Sequence, residues 1–209
     1  MTFDAEYRHD SPLDWTPVFE PATQRASDAL RRWTRDRVTL SLDEVRETSL
    51  AETAAALPAG DEPLTMVIVG VVGELSGCLI LMLDDESVVE LVGVLLNRAL
   101  KPTAEWGELE LSALRETGNI FGSAYLNAVS ERVGSRLFPS PPNIVRDYAA
   151  GALEQAVVMQ AIDSDQVLFC RTQLCCAGSA LNVTAFFVPT GELLSTLRRT
   201  LEPNTLEAR

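Results

Sequence analysis

The chain has 209 residues, 46% hydrophobic and 22% charged, with a formal net charge of -13 at pH 7. That length allows one globular domain or two small halves, while the acidic balance argues against nucleic-acid phosphates as a partner and gives anionic lipid no basic stripe. One histidine, His9, and four cysteines without CxxC spacing (Cys78, Cys170, Cys175, Cys176) nearly exclude a zinc site and a His-dependent triad; the cysteines read as small buried apolar residues.

From the N-terminus, the first ten residues are polar and lack the apolar core of a signal peptide. Residues 1–11 and 203–209 read as loose termini. Ala29 to Val38 reads as the end of a helix leading into an extended segment, and Pro58 to Pro63 as a turn. Leu64 to Val72 and Glu74 to Leu83 are apolar runs separated by a glycine-bearing turn, which predicts two strands. Met66 to Leu83 is the longest apolar stretch, but Gly70, Gly73, Glu74 and Gly77 interrupt it, so no membrane span is expected and the protein is placed in the cytoplasm. Asp84, Asp85 and Glu86 suit the positive end of a helix dipole and predict a helix over Asp85 to Asn97. Ala99 to Thr103 reads as the next turn.

The next helix carries the most information. Steps of four and seven residues nearly close whole turns, so Ser112, Glu116 and Asn119 fall within roughly a 60° arc, a line that Ser123, Asn127 and Ser130 extend. Leu109, Ala113, Leu114, Ile120, Phe121, Ala124, Ala128 and Val129 cluster opposite it and are expected to be buried. Gly118 and Gly122 lie inside the helix although each costs about 1 kcal/mol relative to Ala, which points to a close approach there, a neighbouring strand included. Pro139 to Pro142 cannot be helical and is expected to close the helix. Ala156 to Ile162, Gln166 to Leu174 and Ser179 to Val188 then read as strands, and Gly191 to Leu201 as the last helix. Trp15, Trp33 and Trp106 read as core or hinge residues.

The pattern runs twice, in halves spanning about 12–98 and about 104–202, each a helix, a strand-rich block and a closing helix. Two such blocks predict an α+β fold with pseudo-twofold symmetry. Sliding the halves by 99 residues sets Pro17 opposite Glu116, Glu20 opposite Asn119 and Asp43 opposite Pro142, and no Asn occurs before Asn97. The first half therefore lacks the pair.

The order Ser112, three residues, Glu116, two residues, Asn119, 22 residues, Pro142, set in Glu-Thr-Gly-Asn-Ile and followed by Ala128-Val-Ser and Pro139 to Pro142, resembles the signature of the CheC, CheX and FliY chemotaxis phosphatases, closest to CheC in length and layout. The resemblance covers nearly the whole chain. It implies a central antiparallel sheet with paired long helices on one side, and a phosphatase that removes the aspartyl phosphate of a CheY-type response regulator. It also implies Glu116 and Asn119 as catalytic residues, with Glu116 pairing with the regulator's Lys. Ser112, Gly118, Gly122, Ser123 and Pro142 are assigned to support and docking. No cofactor of the chain's own is expected, since the regulator brings its own Mg²⁺. With the first half lacking the pair, one site per chain is expected.

The residues suit that chemistry. A fixed carboxamide both accepts from and donates to a water held in line with the leaving aspartate oxygen. Asn does not titrate, which suits a loose transition state that asks mainly for positioning. The competing reading is a non-catalytic adaptor that binds a response regulator, a CheD-like receptor deamidase or a flagellar switch protein. A strand-exchanged dimer of the CheX kind is less expected, because the second half-repeat supplies an internal partner.

Overall fold

Strand alternation and helix caps define the architecture. The computed structural model describes residues 13–49, 51–53, 63–101, 105–148 and 166–201. Its main elements are α1 (Thr16–Thr34), β1 (Val38–Ser49), β2 (Leu64–Gly73), β3 (Gly77–Leu83), α2 (Asp85–Leu96), α3 (Glu108–Val133), β4 (Leu137–Pro139), β5 (Asn143–Asp147), β6 (Gln166–Cys176), β7 (Ser179–Pro189) and α4 (Gly191–Leu201). The predicted strand Ala156 to Ile162, the termini, residues 58–62 of the first predicted turn and residues 102–103 of the second lie outside the described residues.

Local chemistry fixes the boundaries. Asp84 caps α2 by accepting a hydrogen bond from the Ser87 amide at 2.7 Å, with Asp85 and Glu86 in the first turn and Asn97 in the left-handed conformation at the end. Such a cap contributes about 1 kcal/mol. Two boundaries differ from expectation. The long helix α3 ends on Gly134 (φ 71), whose amide donates to the Ser130 carbonyl, so a left-handed glycine closes it and the prolines downstream separate β4 from β5. Strand β3 starts at Gly77 and not at Glu74, because both the amide and the hydroxyl of Thr190 donate to the Ser76 carbonyl, at 3.0 and 2.9 Å, and end the ladder there.

The seven strands form one antiparallel sheet in the order β1-β6-β7-β3-β2-β4, with β5 also pairing with β2. The order is symmetric about the β3–β7 pair, where Ile80 faces Phe186. Each half sends its outer strand across: β1 pairs with β6, while β4 and β5 pair with β2.

All four helices contribute to the core on one face of the sheet. Val67, Val69, Leu79, Leu81, Ala185 and Phe187 point to that side, while Met66, Ile68, Ile80, Met82, Phe186 and Val188 form a second buried cluster on the other, as the period of two requires. Beneath α1 and α3 the rings of Trp15, Phe19, Phe121, Tyr125 and Phe187 meet at centroid distances of 5.2 to 6.5 Å. Burying each such side chain stabilises the fold by about 1.5–3 kcal/mol. Trp15 and Trp106 are buried, whereas Trp33 is exposed. Among the described residues no helix is long and apolar enough to cross a membrane.

The two long helices obey the 99-residue register. Buried Val18, Phe19, Ala22, Thr23, Ala26, Ser27 and Leu30 of α1 correspond to buried Thr117, Gly118, Phe121, Gly122, Tyr125, Leu126 and Val129 of α3. Their left-handed caps, Arg35 and Gly134, and the carbonyls those caps bond, Arg31 and Ser130, correspond too.

Candidate functional site

With Thr117, Gly118, Phe121, Gly122 and Tyr125 turned to the sheet, the opposite face of α3 presents Ser112, Glu116, Asn119 and Asn127 to solvent, with Ser123 and Ser130 half-buried along the same line. Leu109 departs from expectation. It is 56% exposed, because a step of seven residues puts it on the same side of the helix as Glu116.

Glu116 and Asn119 are joined across one turn, the Asn119 Nδ2 donating to the Glu116 Oε2 at 3.4 Å. This bond holds the carboxamide at one end. Asn119 is exposed, and its oxygen and second N–H make one acceptor and one donor in the plane of the amide.

What holds the pair in place lies behind it. Gly118 is pressed against β2 so closely that a Cβ there would lie 2.5 Å from the Val67 Cγ1 and 3.1 Å from the Cβ and Cγ of Pro142. Gly122 sits against Val69 in the same way, at 3.0 Å. Pro142 is buried and fixed from its own side, since Ser140 clamps its segment to β2: the Gly70 amide donates to the Ser140 hydroxyl at 2.9 Å and the Ser140 amide donates to the Gly70 carbonyl at 2.8 Å. Gly118, Gly122 and Pro142 therefore belong to the seating of the helix, and Ser112, Glu116, Asn119 and Ser123 to its outer line.

At the far end of that line a cleft of about 610 Å³ opens between α1 and α3. Its walls include Arg25, Arg32 and Arg136, with Asn127, Ser130 and Phe138. Sequence reasoning missed this cluster because its cations come from two segments far apart in the chain, Arg25 and Arg32 on α1 and Arg136 just before β4. The 99-residue register, which sets Asp28 opposite Asn127, was the signal that α1 and α3 lie side by side there.

The first half offers no counterpart to the pair. Pro17 occupies the first turn of α1, and Glu20 is exposed without a neighbouring Asn. Among the described residues no group of three or more His, Cys, Asp or Glu side chains is placed to hold a metal ion.

No protein-family model matches this sequence. Solved structures do. FliY from Thermotoga maritima superimposes with a TM-score of 0.69 at 18% identity over 90% of this chain and 93% of that one. The FliM middle domain from H. pylori gives 0.65 at 14% identity over 88% and 95%. The CheX-CheY-BeF3-Mg²⁺ complex from Borrelia burgdorferi gives 0.52 at 16% over 83% and 97%. The chain has the CheC/CheX/FliY-like fold, α+β with an antiparallel sheet and helices.

Proposed function

We propose that this protein hydrolyses the aspartyl phosphate of a CheY-type response regulator, at one site built from Glu116 and Asn119. The observation that carries the reading is the Glu116–Asn119 bond on the solvent face of α3, backed by Gly118 seated on Val67 and Pro142. A CheX of this fold has been crystallised with CheY, BeF3 and Mg²⁺, which supports the choice of substrate.

In this reading the helix enters the partner's phosphorylation cleft. The Asn119 oxygen accepts from a water and orients it in line with the bond between phosphorus and the aspartate oxygen. The water oxygen bonds to phosphorus, the P–O(Asp) bond breaks, the aspartate leaves as carboxylate and the water's proton stays with the released phosphate. The regulator's own Mg²⁺ and Lys carry the charge that develops on the phosphoryl oxygens. Glu116 pairs with that Lys, which sets the distance from Asn119 to phosphorus.

The likeness to the FliM middle domain favours a second reading, a flagellar switch or adaptor module that binds without chemistry. The decay of a phosphorylated CheY-type regulator, followed with wild type and with Asn119→Ala, separates the two. The phosphatase reading expects acceleration by wild type, an Asn119→Ala rate lower by roughly 10²-fold, and retained binding. Binding without acceleration by either protein selects the adaptor.

A further inference from the structure

The polar line on α3 does not stop at the site. Asn127 lies two turns beyond Asn119 on the same face, about 12 Å along the axis at 1.5 Å per residue, and there it forms part of the wall of the cleft between α1 and α3. The cleft is mixed in charge but leans positive, against the balance of the chain: Arg25, Arg32 and Arg136 line it together with Asp28 and Glu131. The chain has 17 Lys and Arg against 30 Asp and Glu, yet three guanidinium groups converge here. Arg25 is paired with Glu131 at 2.5 Å, and Asp28 already accepts from Gln24 and lies 4.0 Å from Arg31. Arg32 and Arg136 are exposed and make no ion pair among the described residues. Beside them Phe138, 54% exposed, and its cross-strand partner Val72, 55% exposed, add an apolar rim.

We propose that this cleft is a docking subsite for an acidic, carboxylate-bearing segment of the same phosphorylated partner, engaged while the phosphoryl group lies at Asn119; the inference rests on the phosphatase reading. Glu116 at one end of the line and Arg32 with Arg136 at the other give the surface a charge polarity. A partner with a cation beside its phosphate and carboxylates about 12 Å away meets opposite charges in one orientation and like charges in the reverse. Charges at such a rim act mainly on the association rate, which salt screens.

The test is steady-state dephosphorylation of the regulator by wild type, by the charge-reversed Arg32→Glu/Arg136→Glu protein and by Arg32→Lys/Arg136→Lys, each from low to about 0.5 M salt. Reversal is expected to raise KM about tenfold, with a much smaller change in kcat, and to flatten the salt dependence of kcat/KM. The lysine protein, which keeps the charge, is expected to regain most of the loss. Active wild type with KM and salt dependence unchanged on reversal overturns the subsite and leaves the phosphatase standing. A fall in kcat at constant KM also overturns it, since the arginines would then serve chemistry and not docking. Wild type that neither binds nor accelerates the regulator overturns the phosphatase reading, and the subsite with it.

Discussion

Gly118 leaves no room for a side chain beside Val67: a Cβ on the glycine would stand 2.5 Å from the valine Cγ1, well inside contact distance, and a valine on a strand has little freedom at χ1 to retreat. The residue that follows Gly118 is Asn119, so a tight approach of helix to sheet lies next to the candidate site.

Gly118→Ala is therefore expected to destabilise the protein by about 1–2 kcal/mol, the strain of overpacking exceeding the helical gain of about 1 kcal/mol. Gly122→Ala meets Val69 at 3.0 Å and is expected to be near neutral. Urea denaturation of the two proteins side by side checks the contrast. Equal stabilities would mean that Val67 and Pro142 yield without cost.

The one-site reading predicts unequal effects at equivalent positions of the two halves. Glu20→Ala, at the α1 position matching Asn119, is expected to leave dephosphorylation within about twofold of wild type, against a loss of roughly 10²-fold for Asn119→Ala. Comparable losses would show that the first half takes part in the chemistry.

Burial pushes the thiols of Cys78 and Cys170 up to about 12 and that of Cys176 up to about 11, so at neutral pH all three stay protonated and unreactive. Cys175 is the only partly exposed cysteine. A thiol reagent at pH 8 is expected to label Cys175 first, with the other three reacting only on unfolding; mass spectrometry of the labelled peptides reads the order.

The exposed pair Arg25–Glu131 ties α1 to α3, and the guanidinium holds the Glu131 carboxyl below its ordinary value. A depressed carboxyl pKa contributes stability above the unfolded value and loses it as pH falls through the folded one. Glu131→Gln is thus expected to be slightly less stable than wild type at neutral pH and equal to it in acid, and equal also at high salt, where the exposed pair is screened. Thermal melts across that pH range measure it.

Much of this was legible in the sequence where a residue type acts locally. Asp84 capped a helix that ran as expected, Leu64 to Val72 formed a strand, and the 99-residue slide matched the caps at Arg35 and Gly134. Legibility failed where a second segment decides. Val38 to Ser49 carries four acidic or basic residues in its later part and lies at a sheet edge, so its full length was set by pairing with β6 and not by an apolar pattern. Pro142 could be counted from Asn119, with 22 residues between them, but only the fold shows it wedged under Gly118. Leu109 groups by its apolar character with the core-facing residues of the helix, yet its angle places it beside Glu116 and leaves it 56% exposed.

The crossed outer strands make the two halves inseparable. A chain cut between Arg98 and Glu105 would yield two pieces, each missing an outer strand that only the other supplies: β1 for β6, and β4 with β5 for β2. Neither piece could satisfy its sheet alone, whereas the two expressed together would have every reason to reassemble. Damage at Leu40, in the half that lacks the Glu–Asn pair, thereby reaches the sheet against which the helix of Asn119 packs, so the half without the pair is structurally part of the half that carries it.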